Sequence, residues 1–182
     1  MRIGVAFAVV LLASCSGAIR HVHLDPTDGS VLGGAEALKA LDQCSHYGPV
    51  DATATWTPAT EQIKELERRL PGFLRQQELR PPGGPGTYYH QYVGVVLGGR
   101  KLIYVNGFPK SSIADAVALS DRFAREHPEV QFTASELPES MRTLDGWRSS
   151  AVVVCDGGSS YWGVLYDPET RQFTEYSANG IG

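Results

Sequence analysis

Apolar residues recur at spacings of three and four over Ile63, Leu66, Leu70, Phe73 and Leu74, against a polar face of Glu61, Lys64, Glu65, Glu67 and Arg68. That period predicts an amphipathic helix opening at Thr57-Pro58, where Thr57 can cap and Pro58 lacks only an N–H that a first turn leaves unpaired. Pro71-Gly72 is expected to end or kink the helix, and the proline- and glycine-rich run from Arg80 to Gly86 is a loop by composition. Tyr88 to Leu97 and Arg100 to Phe108 then read as two strands about Gly98-Gly99, a dipeptide suited to a tight turn with positive φ. Pairing outward from that turn sets Val95 opposite Leu102, Val93 opposite Tyr104 and Gln91 opposite Asn106 on one face. The other face carries Val96 with Lys101, Gly94 with Ile103 and Tyr92 with Val105. Both faces are partly apolar, so one should meet the helix and the other a loop or second element. Gly94 can alternatively mark a bulge or bend.

A second helix, capped by Ser111 or Ser112, would gather Ile113, Ala116, Val117, Ser120, Phe123 and Ala124 on one face and stop by His127-Pro128. Val130 to Ser135 suits a short strand, and Pro138 to Gly146 a connection. From Arg148 to Asn179 the pattern is that of three antiparallel strands: a central β-branched run Ala151 to Val154, then Tyr161 to Tyr166 and Gln172 to Tyr176 about Asp167-Pro168-Glu169-Thr170. Arg171 ends that turn where a left-handed residue would favour Gly. The aromatic density here fits core and cross-strand packing better than a carbohydrate or peptide platform. The fold class is therefore α+β: an antiparallel sheet of hairpin plus C-terminal meander, packed on one or two helices. Between Ser16 and Thr57 only a short helix over Ala35 to Leu41, with Glu36 in its first turn, is readable.

The N-terminus carries an address rather than a fold. Ile3 to Leu12 is apolar but too short to span a bilayer, which takes about 20 residues; with Arg2 before it and small residues after, it has the form of a signal segment. Leu12-Ala13-Ser14-Cys15 resembles the lipobox of bacterial lipoproteins. The resemblance implies that residues 1–14 are a signal peptide and that Cys15 is acylated, with palmitate among its chains, and becomes the mature N-terminus. Ser16 stands where an Asp would favour inner-membrane retention, which implies the periplasmic face of the outer membrane in a Gram-negative host. Residues 15–34 would then be a tether and residues 35–182 a single domain. His21 and His23, with Asp25, share one side of any extended segment and invite a metal, but no further ligand is spaced for it, and a polar tether accounts for them. No metal and no cofactor is expected, since the Arg80 to Gly86 run also lacks the Lys-Ser/Thr ending of a phosphate-binding loop. A formal net charge of −4 without a basic run argues against nucleic acid as a partner.

With Cys15 assigned to lipid, Cys44 and Cys155 are the thiols left in an oxidising compartment, where two such residues commonly pair. The competing readings are two separately buried thiols, or Cys155 as a nucleophile meeting His90 or His46 in space. Asp156-Gly157-Gly158 places a carboxylate on flexible backbone, although a turn that needs glycine explains it more simply.

Trp56-Thr57-Pro58, the hairpin running from Tyr92-Val93-Gly94-Val95-Val96 to Asn106, Cys155-Asp156-Gly157-Gly158 and Trp162 to Pro168 together resemble a group of small bacterial envelope lipoproteins of unassigned activity. The likeness covers about residues 56–108 and 148–180 and brings no catalytic residue with it. The order of helix, hairpin and meander is also similar to cystatin-like architecture, which implies a curved sheet wrapped on a helix and leaves function open. The expected function is a lipid-anchored envelope protein, held to the membrane through its N-terminal lipid and acting as a non-enzymatic binding or assembly module for a protein, peptide or glycan. The alternative is a periplasmic hydrolase using Cys155 or Asp156 with a histidine.

Overall fold

The computed structural model describes residues 28–129 and 137–180. Residues 1–14, read as a signal peptide, Cys15, His21, His23 and the strand expected at Val130 to Ser135 lie outside the described residues. In chain order the elements are β1 (Gly29–Val31), α1 (Gly34–Leu41), β2 (Ala54–Trp56), α2 (Thr60–Leu74), β3 (Tyr88–Leu97), β4 (Arg100–Pro109), α3 (Lys110–Glu126), β5 (Trp162–Asp167) and β6 (Gln172–Ala178). The strands form one six-stranded sheet in the order β1-β3-β4-β5-β6, with β2 pairing the other half of the β3 edge that β1 occupies. The class is α+β, and the sheet is antiparallel except for β1, which runs parallel to β3.

The hairpin forms in the expected register, from Val96 opposite Lys101 to Gln91 opposite Asn106. Gly98 and Gly99 take φ of 56° and 77°, a region that costs an L-residue with a side chain about 1–2 kcal/mol. Gly94 marks no bulge: it is paired with Trp56, and a Cβ there would stand 2.2 Å from the Trp56 carbonyl oxygen and 2.9 Å from its indole.

One face of the sheet, carrying Tyr92, Ile103, Val105, Trp162, Val164 and Tyr166, packs on α2. Ile63, Leu66 and Leu70 of the predicted stripe are fully buried there, each stabilising the fold by about 1.5–3 kcal/mol relative to exposure. The helix starts at Thr60 rather than Pro58: Ala59 is the cap residue, and its N–H donates to Gln62 Oε1 at 2.9 Å. It also runs through Pro71 to Leu74. The opposite face, with Val93, Val95, Leu102, Tyr104 and Leu165, packs on Leu32 and on Ala37, Ala40 and Leu41 of α1. Towards Phe108 the same face meets Ile113 of α3 together with Trp147 and Val152. Covered on both sides, the sheet departs from the sheet-on-one-helix arrangement that cystatin likeness implied.

Two further expectations are corrected. Gly29–Val31, read as part of the tether, is a buried strand paired with His90 to Tyr92, so the domain begins at least as early as residue 29. Ala151 to Val154 is not a strand, and the meander has two strands rather than three. The run crosses the α1 face of the sheet as an extended strap, and side chains of Gln91, Asn106, Glu36 and Asn179 take the backbone bonds that a neighbouring strand would otherwise take. In α3 only Ile113 of the predicted stripe is fully buried.

Candidate functional site

Cys44 and Cys155 form a disulfide, with Cα atoms 5.1 Å apart. Both residues are at the surface, and the bridge ties the loop after α1 to the strap. The thiol on which the cysteine-hydrolase reading depends is therefore spent in a bond. Asp156, next along, is exposed; its carbonyl oxygen accepts a hydrogen bond from Asn179 Nδ2 at 2.8 Å. Gly157 and Gly158 both have positive φ, 97° and 57°, so this tripeptide is the glycine-requiring turn.

His46 is the histidine on this face of the sheet, and it is buried. Its Nδ1–H donates to Asn179 Oδ1, which leaves Nε2 to accept from the Tyr104 hydroxyl at 3.0 Å. Asn179 is oriented in turn by donating Nδ2 to the Val154 carbonyl at 2.6 Å. Burial pushes the His46 pKa below its ordinary value, partly offset by the Asn179 bond. Both ring nitrogens are engaged, so the imidazole braces the strap against the sheet.

His90 lies on the other face, apart from Cys155 and Asp156. Its Nδ1 is 2.9 Å from Glu67 Oε1 of α2, an oxygen that also accepts from the Tyr92 hydroxyl at 2.7 Å. Burial acts to raise the Glu67 pKa, but the His90 charge and the bonds from His90 and Tyr92 outweigh it and hold the carboxyl below its usual range. Trp162 packs on the His90 ring at 5.4 Å between centroids. The carboxylate, half-buried, thus joins α2 to β3 at the margin of the core.

One concave surface that these bonds leave free is at the far end of β3, around Tyr88. Two adjoining clefts of about 480 and 570 Å³ share Pro82, Gly83 and Tyr88. The first is walled by Leu74 and Arg75 at the end of α2 and by Arg80 and Pro81 of the proline-rich loop; the second reaches Lys110 and Ser111 at the start of α3. The loop is pinned in place: Tyr88 donates its hydroxyl to the Pro82 carbonyl at 2.8 Å, Thr87 Oγ1 donates to that of Gly84 at 2.7 Å, and Tyr176 of β6 donates to that of Leu79 at 2.6 Å. Burial pushes the Tyr88 phenol up to about 12, so it stays a neutral donor. Lys110 is paired with Asp28 at 2.6 Å, whereas Arg75 and Arg80 are exposed and form no ion pair among the described residues. A preformed groove of this size, apolar on its walls with two free guanidinium groups at its rim, suits a ligand with an apolar body and an anionic group.

Sequence reasoning treated the Arg80 to Gly86 run only as a loop. The signal for the groove is the pairing of that run with a flanking Arg75 and with Tyr88, whose roles depend on hydroxyl-to-carbonyl bonds across elements. Among the described residues no three or more His, Cys, Asp or Glu cluster as a metal site, and no helix is long and apolar enough to cross a membrane. Comparison of the chain with protein-family models, with curated proteins and with solved structures finds no match.

Proposed function

We propose that the chain is a binding or assembly module of the bacterial envelope, acylated at Cys15, resting on the periplasmic face of the outer membrane and holding its partner in the groove about Tyr88. The observation that carries this reading is a division of labour among side chains. Cys155, His46 and Glu67, which have the chemistry for catalysis, are occupied in a disulfide and in hydrogen bonds between elements. Arg75 and Arg80, which have no such task, line a groove whose loop is held in advance of any ligand. Pre-organisation of that kind reduces the ordering cost of association.

Two measurements test the two halves separately. Mass spectrometry of membrane-extracted protein should find diacylglyceryl-modified Cys15, and Cys15→Ser should release the protein or block its processing; a soluble wild type with an unmodified cysteine overturns the anchor. A photoreactive amino acid at position 80 should trap a discrete adduct in intact cells that Arg75→Ala weakens. An equal adduct yield from a probe placed at the exposed Leu119 of α3 overturns the groove as the binding site.

A further inference from the structure

β2 is an edge that nothing in the described structure covers. It pairs with β3 through Ala54 opposite Val96, Thr55 opposite Val95 and Trp56 opposite Gly94, and no described strand lies on its outer side. Alternate residues of such a strand turn their N–H and C=O groups away from the sheet. The other two edges are managed differently. β1 is buried along its whole length, and Ser30 donates its hydroxyl to the Arg148 carbonyl. β6 is irregular, with Glu175 at φ 54° and a register shift against Gly163 to Leu165, a distortion that discourages another strand from joining. Ala54-Thr55-Trp56 has no bulge, no proline and no charge.

Beside this edge runs a cleft of about 660 Å³ between β2 and α1. Leu38 of α1 and Val50 of the preceding loop line it, at 62% and 70% exposure, although the faces of α1 that meet the sheet are fully buried. Two large apolar side chains exposed along one cleft offer seats for apolar side chains of a ligand. The charge at its end is negative: Asp42 lines the cleft at the C-terminus of α1, where the helix dipole adds to it, and Asp51 lies between Val50 and Ala52 of the wall. Neither aspartate forms an ion pair among the described residues; of the cations nearby, Lys39 is matched by Glu36 at 2.5 Å, and Lys101 lies over the Trp56 ring, 5.4 Å from its centroid, on the face of the sheet away from α1.

We infer that the β2 edge takes up an extended peptide segment as an added strand, seating apolar side chains between Leu38 and Val50 and presenting basic side chains to Asp42 and Asp51. The main-chain bonds would supply register and the cleft would supply selectivity, as in other strand-addition sites. Seven residues of β3, about 23 Å, separate this edge from Tyr88, so the inference does not depend on what the other groove holds.

The test uses the mature chain and a synthetic eight-residue peptide, Lys-Thr-Val-Thr-Val-Thr-Lys-Thr, whose valines and lysines share one face of an extended strand. Binding should protect the amides of residues 53–56 from hydrogen exchange and shift their NMR signals. The same peptide with proline at the adjacent positions 4 and 5, one of which must lose a ladder N–H, should bind about tenfold more weakly. Leu38→Ser and Val50→Ser, both at exposed positions, should weaken binding several-fold, and Asp42→Asn with Asp51→Asn should flatten its salt dependence. The inference is overturned by absence of binding up to about 1 mM, by equal affinity for the proline peptide, or by signal changes confined to the Tyr88 groove. It is equally overturned if the chain sediments as a dimer without peptide and the amides of residues 53–56 are protected in that dimer, since a second copy would then be the occupant.

Discussion

Gln91 and Asn106 stand opposite each other across β3 and β4, and Asn106 Nδ2 donates to Gln91 Oε1 at 3.2 Å. From this pair the strap is hung: Val152 N–H donates to Gln91 Oε1 at 3.0 Å, Gln91 Nε2 donates to the carbonyls of Trp147 and Ser150 at 2.5 and 2.8 Å, and Asn106 Nδ2 donates to that of Val152 at 2.8 Å. Both amides are essentially inaccessible to solvent. Gln91→Leu keeps the volume but takes the acceptor from two buried N–H groups, of Val152 and of Asn106 Nδ2, and strands two carbonyls, and should cost at least about 2 kcal/mol in urea denaturation. Hydrogen exchange should show the loss first in residues 147–154.

The disulfide encloses a sequence separation of 111 residues. By loop-closure entropy, the paired substitutions Cys44→Ser and Cys155→Ser should lower stability by about 4–5 kcal/mol. Native thiol labelling without reductant should find neither cysteine free in the wild type.

The turn at Gly98-Gly99 is exposed, so substitution there tests backbone conformation alone. Gly98→Val and Gly99→Val should each cost about 1–2 kcal/mol. Gly94→Ala should cost more than either, because the new methyl meets the Trp56 carbonyl, and the damage should include loss of β2 from the sheet, visible as faster exchange at residues 53–56.

Stability should fall on acidification in two stages. His46 is held neutral, its folded pKa below the ordinary 6.5, so its contribution is complete above 6.5 and is lost as pH falls from there through the folded value. Glu67 has a folded pKa below 4.5, so its contribution is complete above 4.5 and is lost on further descent. Melting temperature against pH should show both limbs in the wild type, and His46→Gln should remove the upper one.

The hairpin was legible to the residue because a glycine dipeptide fixes the turn and alternation fixes the register from there. The α2 stripe was legible for the same kind of reason, since one period decided which side faces the sheet. Ala151 to Val154 misled because a β-branched run describes burial and extension, and both hold; what it lacks is a backbone neighbour, and the side chains of Gln91 and Asn106 that replace one lie 45 to 63 residues away. Gly29–Val31 was hidden by its length, as three residues carry no period. Of the candidate residues, Cys44 and Cys155 were found by counting thiols, whereas the Tyr88 groove depends on hydroxyls reaching carbonyls of another element, a relation with no local signature.

The bridge between Cys44 and Cys155 also decides where mechanical load travels. A pull between the two ends of the chain loads β1 and α1 before the bridge and β5 and β6 after it, and from Asp28 to Cys44 can release at most about 55 Å of slack. At Cys44 the tension passes through the sulfur atoms directly to Cys155 and on towards β5 and β6. The covalent path bypasses residues 45–154, so β2, α2, the hairpin and α3 carry no chain tension and feel the load only through their packing on β1, α1 and β5.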